Sequence, residues 1–453
     1  MTENPISKIM EKYGMKVLMY VEYPHKSQWR EDFGEDGYKR GLVELCNLKA
    51  PTLLYIHMPY CHKQCYFCTC RVEITSEYKD IHNYLQTLYK EIELHKNVFD
   101  KWGTRPNFKE IHFGGGTPTY INETDFVELM EKIRTICDTN SLAEISLEID
   151  PRHIKRDRMK FYHEQGIDRI SFGIQDFDLE VQKAVNRVQP ASIIESLLTP
   201  EVREWFRNGI NFDIICGLPN QTPETMHKTM EKVADLGADR VCLNYLDVSP
   251  KYAPHQLLMP MDKIPDAYER RAIFTEALNV LLSRGYIRTG YDHFAKPTDD
   301  LGRARKDGTM IWNSLGSTPG RCEDIIGLGV HSYSRLGPQH YSQNYYELEK
   351  WESAINAGRF PIFRGIQLSL DDIIRREIIQ HLRAYFIVDK RQIEDEYNIN
   401  FNDYFCLELV VLKQFVTDNF VELKPDVIQI TEQGQQFANL VCRVFDIYSA
   451  ELP

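Results

Sequence analysis

The feature that most constrains this chain is a compact group of cysteines directly after an apolar run. The run covers residues 52–58, and the cysteines that follow it are Cys61, Cys65, Cys68 and Cys70. Three residues separate the first two of these cysteines, and two residues separate the second from the third. Thiolates at this spacing can bind three irons of a four-iron cluster and leave the fourth iron open for a small ligand. We expect the chemistry of the protein to begin at that open iron.

Zinc sites and disulfides are the alternatives for these cysteines. Structural zinc sites usually show two matched cysteine pairs, or one pair completed by two histidines, whereas this group stands alone. Disulfide frameworks are typical of small secreted proteins, and this chain has 453 residues and no signal-like N-terminus. Ferredoxin-like clusters use four cysteines and fill every iron. The spacing favours a catalytic iron–sulfur cluster, with zinc as the main alternative.

Short β-branched or aromatic runs alternate with helical segments along most of the chain. Apolar residues recur at helical spacing between these runs, for example at Ile81, Leu85, Leu88 and Ile92. Strand-then-helix units in sequence predict parallel strands with right-handed crossovers. We therefore predict an α/β fold, an open or partial TIM-like (β/α)6 barrel. The predicted strands are residues 53–58, 110–113, 144–149, 169–173, 212–216 and 240–245.

Several unusual residues follow or end these predicted strands. The cysteine loop follows the first strand and a triple glycine at residues 114–116 follows the second. Glu148 lies near the end of the third strand, Gln175 ends the fourth, and Asp213 lies within the fifth. Active sites of such barrels lie at the C-terminal ends of the strands, so we expect these residues to meet at one mouth. Glycine there allows the backbone to approach a ligand closely.

The chain divides into regions that differ in their pattern of apolar residues. Near its end, helical periods at residues 371–385 and 402–419 precede a predicted hairpin over 420–430 and a last helix from Glu432. This order is typical of a mostly helical, winged-helix-like module, and we predict a cap over the barrel mouth rather than a DNA-binding domain. The predicted parts are an N-terminal extension (1–50), the barrel (51–290), barrel completion and connection (291–368) and the cap domain (369–453).

Composition limits the compartment and the partners. The net charge is −12, whereas nucleic-acid binding usually shows as a basic excess, so no nucleic-acid partner is expected. No apolar run is long enough for a membrane-spanning helix, and eleven scattered cysteines fit a reducing compartment, so we expect a cytoplasmic monomer. A polyanionic small substrate stays possible where positive charge gathers. The candidate cations, which lie more often on a solvated face, are Arg152, Lys155, Arg156, Arg158, Arg303, Arg305, Lys306, Arg375 and Arg376.

The sequence around the cysteines, YIHMPYCHKQCYFC at residues 55–68, resembles that of radical S-adenosylmethionine enzymes. It is most similar to the oxygen-independent coproporphyrinogen III oxidase (HemN-like) family, and the resemblance includes Cys70. This resemblance implies a radical S-adenosylmethionine barrel that binds a [4Fe–4S] cluster and two molecules of S-adenosylmethionine. Further segments that carry it are residues 112–120, 144–151, 173–177, 185–187, 213–219 and 292–296.

The resemblance also implies roles for individual residues. Cys61, Cys65 and Cys68 are expected to bind the cluster, and Cys70 is expected either to act near the second S-adenosylmethionine as a catalytic residue or to be a packed thiol. The residues expected at the first S-adenosylmethionine are Tyr55, Gly115, Glu148 and Tyr333. Those expected at the second are Phe67, Gly116, Thr117, Gln175, Arg187, Asp213 and Leu246.

Departures from the family pattern fall where a substrate would be recognised. They include Thr69 and Arg71, where the family usually has glycine and asparagine, the segment 314–319, and Leu246. Two reactions therefore stay open. One is oxidative decarboxylation of coproporphyrinogen III propionates to vinyl groups; the other is that of a HemN-like (class C) radical S-adenosylmethionine methyltransferase acting on an sp2 carbon of an aromatic or quinone substrate. Either enzyme needs a one-electron donor such as flavodoxin or ferredoxin. A haem chaperone and a winged-helix oxygen regulator are less favoured.

Overall fold

The fold is built on a mixed sheet of 12 strands. A computed structural model describes residue 12, residues 22–313 and residues 315–449. Much of residues 1–21 of the predicted extension, and the first residue of the segment 314–319, therefore lie outside the described residues. The strands of the described residues are β1 (Pro51–Met58), β2 (Tyr60–Cys61), β3 (Glu73–Ile74), β4 (Asn107–Gly115), β5 (Glu144–Ile149), β6 (Arg169–Gln175), β7 (Ile210–Cys216), β8 (Arg240–Tyr245), β9 (Ile287–Arg288), β10 (His293–Ala295), β11 (Ile311–Asn313), β12 (Gly316–Thr318), β13 (Asp324–Leu328), β14 (Tyr333–Leu336), β15 (His340–Asn344), β16 (Ile362–Gln367), β17 (Ile387–Asp389), β18 (Val421–Leu423) and β19 (Val427–Ile430).

Helices follow the central strands, as the sequence predicts. Helix Pro223–Asp235 illustrates the local signals, because Thr222 caps it in a capping box and Pro223 occupies its first turn. None of the helices in the described ranges combines the length and apolar character that a bilayer crossing demands. The α-helices are Gly34–Leu48, Tyr78–Trp102, Glu123–Arg134, Arg156–Glu164, Leu179–Ala184, Ala191–Leu197, Pro200–Trp205, Pro223–Asp235, Ala267–Ser283, Asp300–Asp307, Leu348–Asn356, Leu370–Ala384, Lys390–Tyr397, Phe401–Tyr404, Cys406–Thr417 and Ala438–Val444.

The six predicted strands form the middle of the sheet. Strands β1, β4, β5, β6, β7 and β8 are neighbours in that order, and every adjacent pair is parallel. Their outward side chains, such as Leu54, Ile111 and Phe172, are fully buried in the main hydrophobic core. Alternate side chains therefore face the barrel interior. This arrangement confirms the predicted (β/α)6 barrel.

Short strands extend both edges of this barrel sheet. On the β1 edge, β13 pairs in parallel with β1, and β14, β15 and β16 continue in antiparallel order. On the β8 edge, β10 and then β9 add antiparallel strands. The sequence analysis assigns residues 291–368 to barrel completion and connection, but it does not predict the individual strands, whose pairing is decided by tertiary contacts.

The C-terminal region has its own core and matches the predicted winged-helix-like arrangement. Strands β17, β19 and β18 form an antiparallel sheet in that order, which includes the predicted hairpin. Two boundaries differ from the prediction. The helix predicted over residues 402–419 is interrupted at Phe405, whose ring is fully buried against Phe445. The last helix begins at Ala438 rather than Glu432, because Thr431 accepts from the Gly434 N–H and turns the chain first.

The N-terminal segment joins the barrel to the C-terminal core. Tyr23 is buried in the C-terminal core, where its hydroxyl donates to Asp372 at 3.0 Å. Six residues later, Trp29 packs in a cluster with Tyr55 of β1 and Tyr333 of β14. The N-terminal segment therefore lies between the two units that the sequence separates.

We expect Tyr23→Phe to destabilise the C-terminal unit by about 1 kcal/mol, the usual net value of a buried hydrogen bond. The matched control is Tyr404→Phe, because Tyr404 donates to the neighbouring Asp371 at 2.8 Å but is 39% exposed. Urea unfolding, monitored by tryptophan fluorescence, measures the free energy of unfolding of both variants. Equal destabilisation of the two variants would contradict a specific role of Tyr23.

Candidate functional site

The cysteine loop is held in place by side chains that lie far from it in sequence. The Asn186 side-chain amide donates to the Gln64 carbonyl at 2.8 Å. On the other side, the His255 Nε2 lies 2.7 Å from the Cys68 carbonyl oxygen, where an N–H on that nitrogen donates to it. These contacts fix the backbone on both sides of Cys65. The loop is therefore a preformed part of the barrel mouth.

Two arginines lie beside the thiol of Cys65. The Arg187 Nη1 is 3.4 Å from the Cys65 sulfur, and the Arg152 Nη2 is 3.7 Å from it. Asp150 joins the two guanidinium groups, with its carboxylate 2.6 Å from Arg152 and 3.7 Å from Arg187. Burial opposes ionisation of Asp150, but the two arginines hold the pKa of its carboxyl well below the usual range. Adjacent positive charge stabilises a thiolate, which is the form that binds metal.

The donor set of the loop fits an iron–sulfur cluster. Cys61, Cys65 and Cys68 supply three thiols, and thiolates are the usual protein ligands of such clusters. The Cys61 sulfur also lies 3.3 Å from the Thr117 hydroxyl, and burial raises the pKa of Cys61 to about 11. Within the described ranges, no three histidine, cysteine or carboxylate side chains are gathered for a single metal ion. A site for one ion, such as zinc, needs its ligands gathered around a single point. A four-iron cluster binds its thiolates through separate irons, so its thiolates lie farther apart than the ligands of one ion.

A second group of residues lines the ends of β1, β4 and β5. The Glu148 carboxylate accepts from the Gly115 backbone N–H at 3.1 Å, and its other oxygen lies 3.1 Å from the His112 Nε2. The Tyr55 ring stacks on His112 with centroids 5.8 Å apart, and its hydroxyl is 3.0 Å from the His57 Nδ1. The predicted residues Tyr55, Gly115 and Glu148 therefore come together, with two histidines between them.

The triple glycine makes this close approach possible. Gly115 has a φ of +112°, and a Cβ there would lie 2.7 Å from the His57 ring. A Cβ on Gly116 would lie 2.8 Å from the Tyr60 carbonyl oxygen, and the Gly116 N–H donates to Met58 at 2.7 Å. Separations under 3.0 Å are not found for real Cβ atoms. Only glycine therefore fits between β1 and the end of β4.

A third group lies around the ends of β6 and β7. The Arg187 Nη2 donates to the Gly173 carbonyl at 2.6 Å, and a Cβ on Gly173 would lie 2.9 Å from the Gln175 amide. Asp213 accepts from Ser171 at 2.8 Å, and burial raises the pKa of its carboxyl. Arg187 belongs to this group and to the cysteine group at once. The sequence-predicted residues Gln175 and Asp213 therefore lie on two adjacent strands, and Arg187 reaches the first of them from the segment after helix Leu179–Ala184.

The remaining predicted residues occupy two apolar clusters and the loop surface. Phe67 packs against the cluster that contains the buried Leu246, and Tyr333 shares a cluster with Tyr55. Cys70 is exposed, and its carbonyl oxygen lies 3.9 Å from the Cys68 sulfur. Leu246, which follows β8, and Tyr333 of β14 thus lie toward opposite edges of the barrel sheet.

The sequence missed three residues of the site. His57 and His112 alternate with Tyr55 and Gly114 along inward-facing strand positions, so the period of two could have identified them. The sequence selects Arg152 as a candidate cation for an anionic substrate and not as a neighbour of the cysteines, whereas its guanidinium lies beside the Cys65 sulfur. Its signal was its position just beyond the end of β5.

Comparisons with known proteins agree with this geometry. The sequence pattern of the Radical SAM superfamily matches residues 55–233. Relatives named oxygen-independent coproporphyrinogen III oxidase include those of Escherichia coli strain K12, 35% identical over 97% of this chain and 94% of the relative, and Synechocystis, 34% identical over 98% and 95%. The solved structure of the Escherichia coli coproporphyrinogen III oxidase, described as a radical SAM enzyme, superposes with a TM-score of 0.88 at 34% identity, covering 97% of this chain and 98% of that one.

We expect Gly115→Ala to abolish S-adenosylmethionine binding, because the new methyl group collides with His57 and displaces the Gly115 N–H from Glu148. The matched control is Gly308→Ala, which has a φ of +75° but no atom within 4 Å of the new Cβ. The control variant therefore places alanine at a positive φ, with the same backbone strain, but its new methyl group collides with no other atom. Equilibrium dialysis with labelled S-adenosylmethionine checks both. Full binding by the Gly115 variant would contradict this account of the glycine.

Proposed function

Because this chain belongs to the oxygen-independent coproporphyrinogen III oxidase family of radical S-adenosylmethionine proteins, we propose that it oxidatively decarboxylates coproporphyrinogen III. The observation that carries this proposal is the convergence of a three-thiol loop, a triple glycine and Glu148 at one barrel mouth. Each reacting propionate would give a hydrogen atom to the radical derived from S-adenosylmethionine and one electron to a one-electron acceptor, and it would release carbon dioxide, which leaves a vinyl group. The named relatives favour this reaction over the methyl transfer that the sequence left open.

The enzyme uses a [4Fe–4S] cluster and S-adenosylmethionine, which together supply a radical able to abstract hydrogen from an unactivated carbon. We assign Cys61, Cys65 and Cys68 as the residues that hold the cluster. Arg152 and Arg187 would then donate hydrogen bonds to the Cys65 sulfur and hold it in place beside the cluster.

Tyr55, Gly115, Glu148 and Tyr333 are proposed to bind the first S-adenosylmethionine. Glu148 is oriented by the Gly115 N–H and by His112, and a carboxylate oriented in this way has lone pairs left for ribose hydroxyls. The glycine backbone offers carbonyl acceptors to an ammonium group without a side chain in between. The described contacts thus support the predicted assignment.

A second S-adenosylmethionine is proposed to lie on the β6 and β7 side of the mouth. Arg187 can pair there with a carboxylate, and Asp213, partly buried and hydrogen-bonded to Ser171, can bond an ammonium or a ribose hydroxyl. Cys70, on the exposed edge of the loop, is proposed as a residue of this second site rather than an iron ligand. The residues proposed for the second molecule are Phe67, Gly116, Thr117, Gln175, Arg187, Asp213 and Leu246.

The proposal extends to partners and domains. A flavodoxin or ferredoxin is proposed as the electron donor, and the enzyme is proposed to act as a monomer. The buried Tyr23 and Trp29 support an N-terminal extension that joins the cap (369–453) to the barrel (51–290). We retain the connecting region (291–368) as the part that extends the barrel sheet.

The reaction can be tested with the reconstituted protein under anaerobic conditions, supplied with a reductant, S-adenosylmethionine and coproporphyrinogen III. We expect carbon dioxide and protoporphyrinogen, with harderoporphyrinogen as the product of the first decarboxylation. Accumulation of S-adenosylhomocysteine without carbon dioxide would instead favour methyl transfer and contradict the proposal.

We expect Cys65→Ala to abolish both cluster binding and S-adenosylmethionine cleavage, because one of three cluster thiolates is lost. Iron content, the visible absorption of the cluster and 5′-deoxyadenosine release measure these effects. Cys406→Ala is the matched control, since Cys406 is an exposed thiol in the C-terminal region, and it should leave all three unchanged. A complete four-iron cluster in the Cys65 variant would overturn the ligand assignment.

A further inference from the structure

Three positively charged side chains lie near His331 at the β1 side of the mouth. They are Lys26, Arg71 and Arg364, and we call them the cationic rim. His331 is in edge contact with His57, with ring centroids 5.9 Å apart, and His57 in turn touches the residues around Glu148. The cationic rim therefore borders the proposed reaction site, although the roles assigned so far do not use it.

Arg71 and Arg364 are placed by neighbouring side chains of β15 and the residues after it. Arg364 donates twice to the Gln343 side-chain oxygen, at 2.9 and 2.7 Å, and the Gln343 amide lies 3.4 Å from the His331 carbonyl. The Arg71 guanidinium lies over the Tyr346 ring, 4.9 Å from its centroid. These contacts orient both guanidinium groups and leave several of their N–H donors for a ligand.

Lys26 approaches from the N-terminal segment. Its ammonium lies 4.8 Å from the centroid of the Tyr333 ring, two residues along the chain from His331. Burial and the positive charges of Lys26, Arg71 and Arg364 lower the pKa of His331 to about 4. His331 is thus neutral near pH 7 and adds no charge of its own. The three cations are close enough to act on one histidine.

The positive charge of this rim is poorly compensated within the protein. Across the described ranges, no carboxylate lies within ion-pair distance of Arg71 or Arg364, although Glu31 is near enough to favour the charge of Arg364, and Lys26 has only Glu22, at 4.0 Å. This is unusual in a chain of net charge −12. The cations selected from sequence differ: Arg375, for example, is paired with both Asp371 and Glu408 at 2.8 Å. Uncompensated like charges that border a cavity mouth favour an anionic ligand.

We propose that Lys26, Arg71 and Arg364 bind the propionate carboxylates of the substrate that are not being decarboxylated. This inference rests on the proposed function, because coproporphyrinogen III is a tetracarboxylate and only one propionate can face the radical at a time. The planar guanidinium group suits a carboxylate, with which it forms two parallel hydrogen bonds. Arg71 stands where the family usually has asparagine, so this chain adds one carboxylate-binding group to the rim.

The test is anaerobic binding of coproporphyrin III, the oxidised tetracarboxylate, to the holoenzyme with S-adenosylmethionine, followed by porphyrin fluorescence. We expect Arg71→Gln and Arg364→Gln each to raise the dissociation constant about tenfold, which corresponds to about 1.4 kcal/mol. Lys26→Gln should have a smaller effect, because an ammonium forms no bidentate pair. Lys160→Gln is the control, since Lys160 is an exposed lysine whose side chain is 60% accessible, and it should bind as the wild type does.

Turnover separates this inference from the proposed function. With coproporphyrinogen III, the arginine variants should raise KM about tenfold and change kcat less than twofold, the pattern of lost ground-state binding. Arg71→Lys keeps the charge and should recover part of the affinity. If both glutamine variants bind coproporphyrin III as tightly as the wild type does, the proposed role of the cationic rim is wrong. If the wild type binds coproporphyrin III through the rim but releases no carbon dioxide, the rim stands and the proposed reaction fails.

Discussion

The contact between the ends of β1 and β4 is the constraint on which the site depends. The backbone of Gly115 and Gly116 lies so close to β1 and the loop after it that no side chain fits at these two positions, and the N–H groups of Gly116 and Thr117 donate to Met58 and Tyr60 at 2.7 and 2.9 Å. This contact fixes the start of the cysteine loop relative to the glycine backbone. A thiol-bound group and a ligand on the glycine backbone therefore meet without a large movement of the chain.

Charge is distributed differently at the two ends of the barrel. At the N-terminal ends of the strands, Arg321 pairs with Glu110 at 2.8 Å, Glu144 at 3.2 Å and Asp300 at 3.0 Å. Burial and the neighbouring Glu144 raise the pKa of Glu110 to about 7, even with Arg321, Arg169 and Arg240 nearby. The buried charged side chains at this end of the barrel form ion pairs with one another, as charges removed from solvent must. At the mouth, by contrast, Glu148 and the cationic rim keep polar atoms for ligands.

Local sequence signals predicted the barrel well but not how its parts meet. The six central strands and the cap of helix Pro223–Asp235 depend on residues near one another in the chain, so periodicity and Thr222 identified them. The contacts of Cys65 with Arg152 and Arg187 span 87 and 122 residues, and nothing local indicates them. The short edge strands were missed for a related reason, because their pairing is decided by tertiary contacts.

The N-terminal segment has a consequence for the order in which the protein is made. Tyr23 hydrogen-bonds to Asp372, which also accepts from Tyr448 at 2.9 Å. Tyr23 is therefore synthesised long before its hydrogen-bond partner. A chain still on the ribosome can form the barrel strands and the thiol loop, since domains fold as they emerge. Its N-terminal segment, however, has no Asp372 to hold it beside the mouth. The N-terminal segment can therefore be fixed in its final place only after Asp372 has emerged from the ribosome, although it is made before every strand of the barrel.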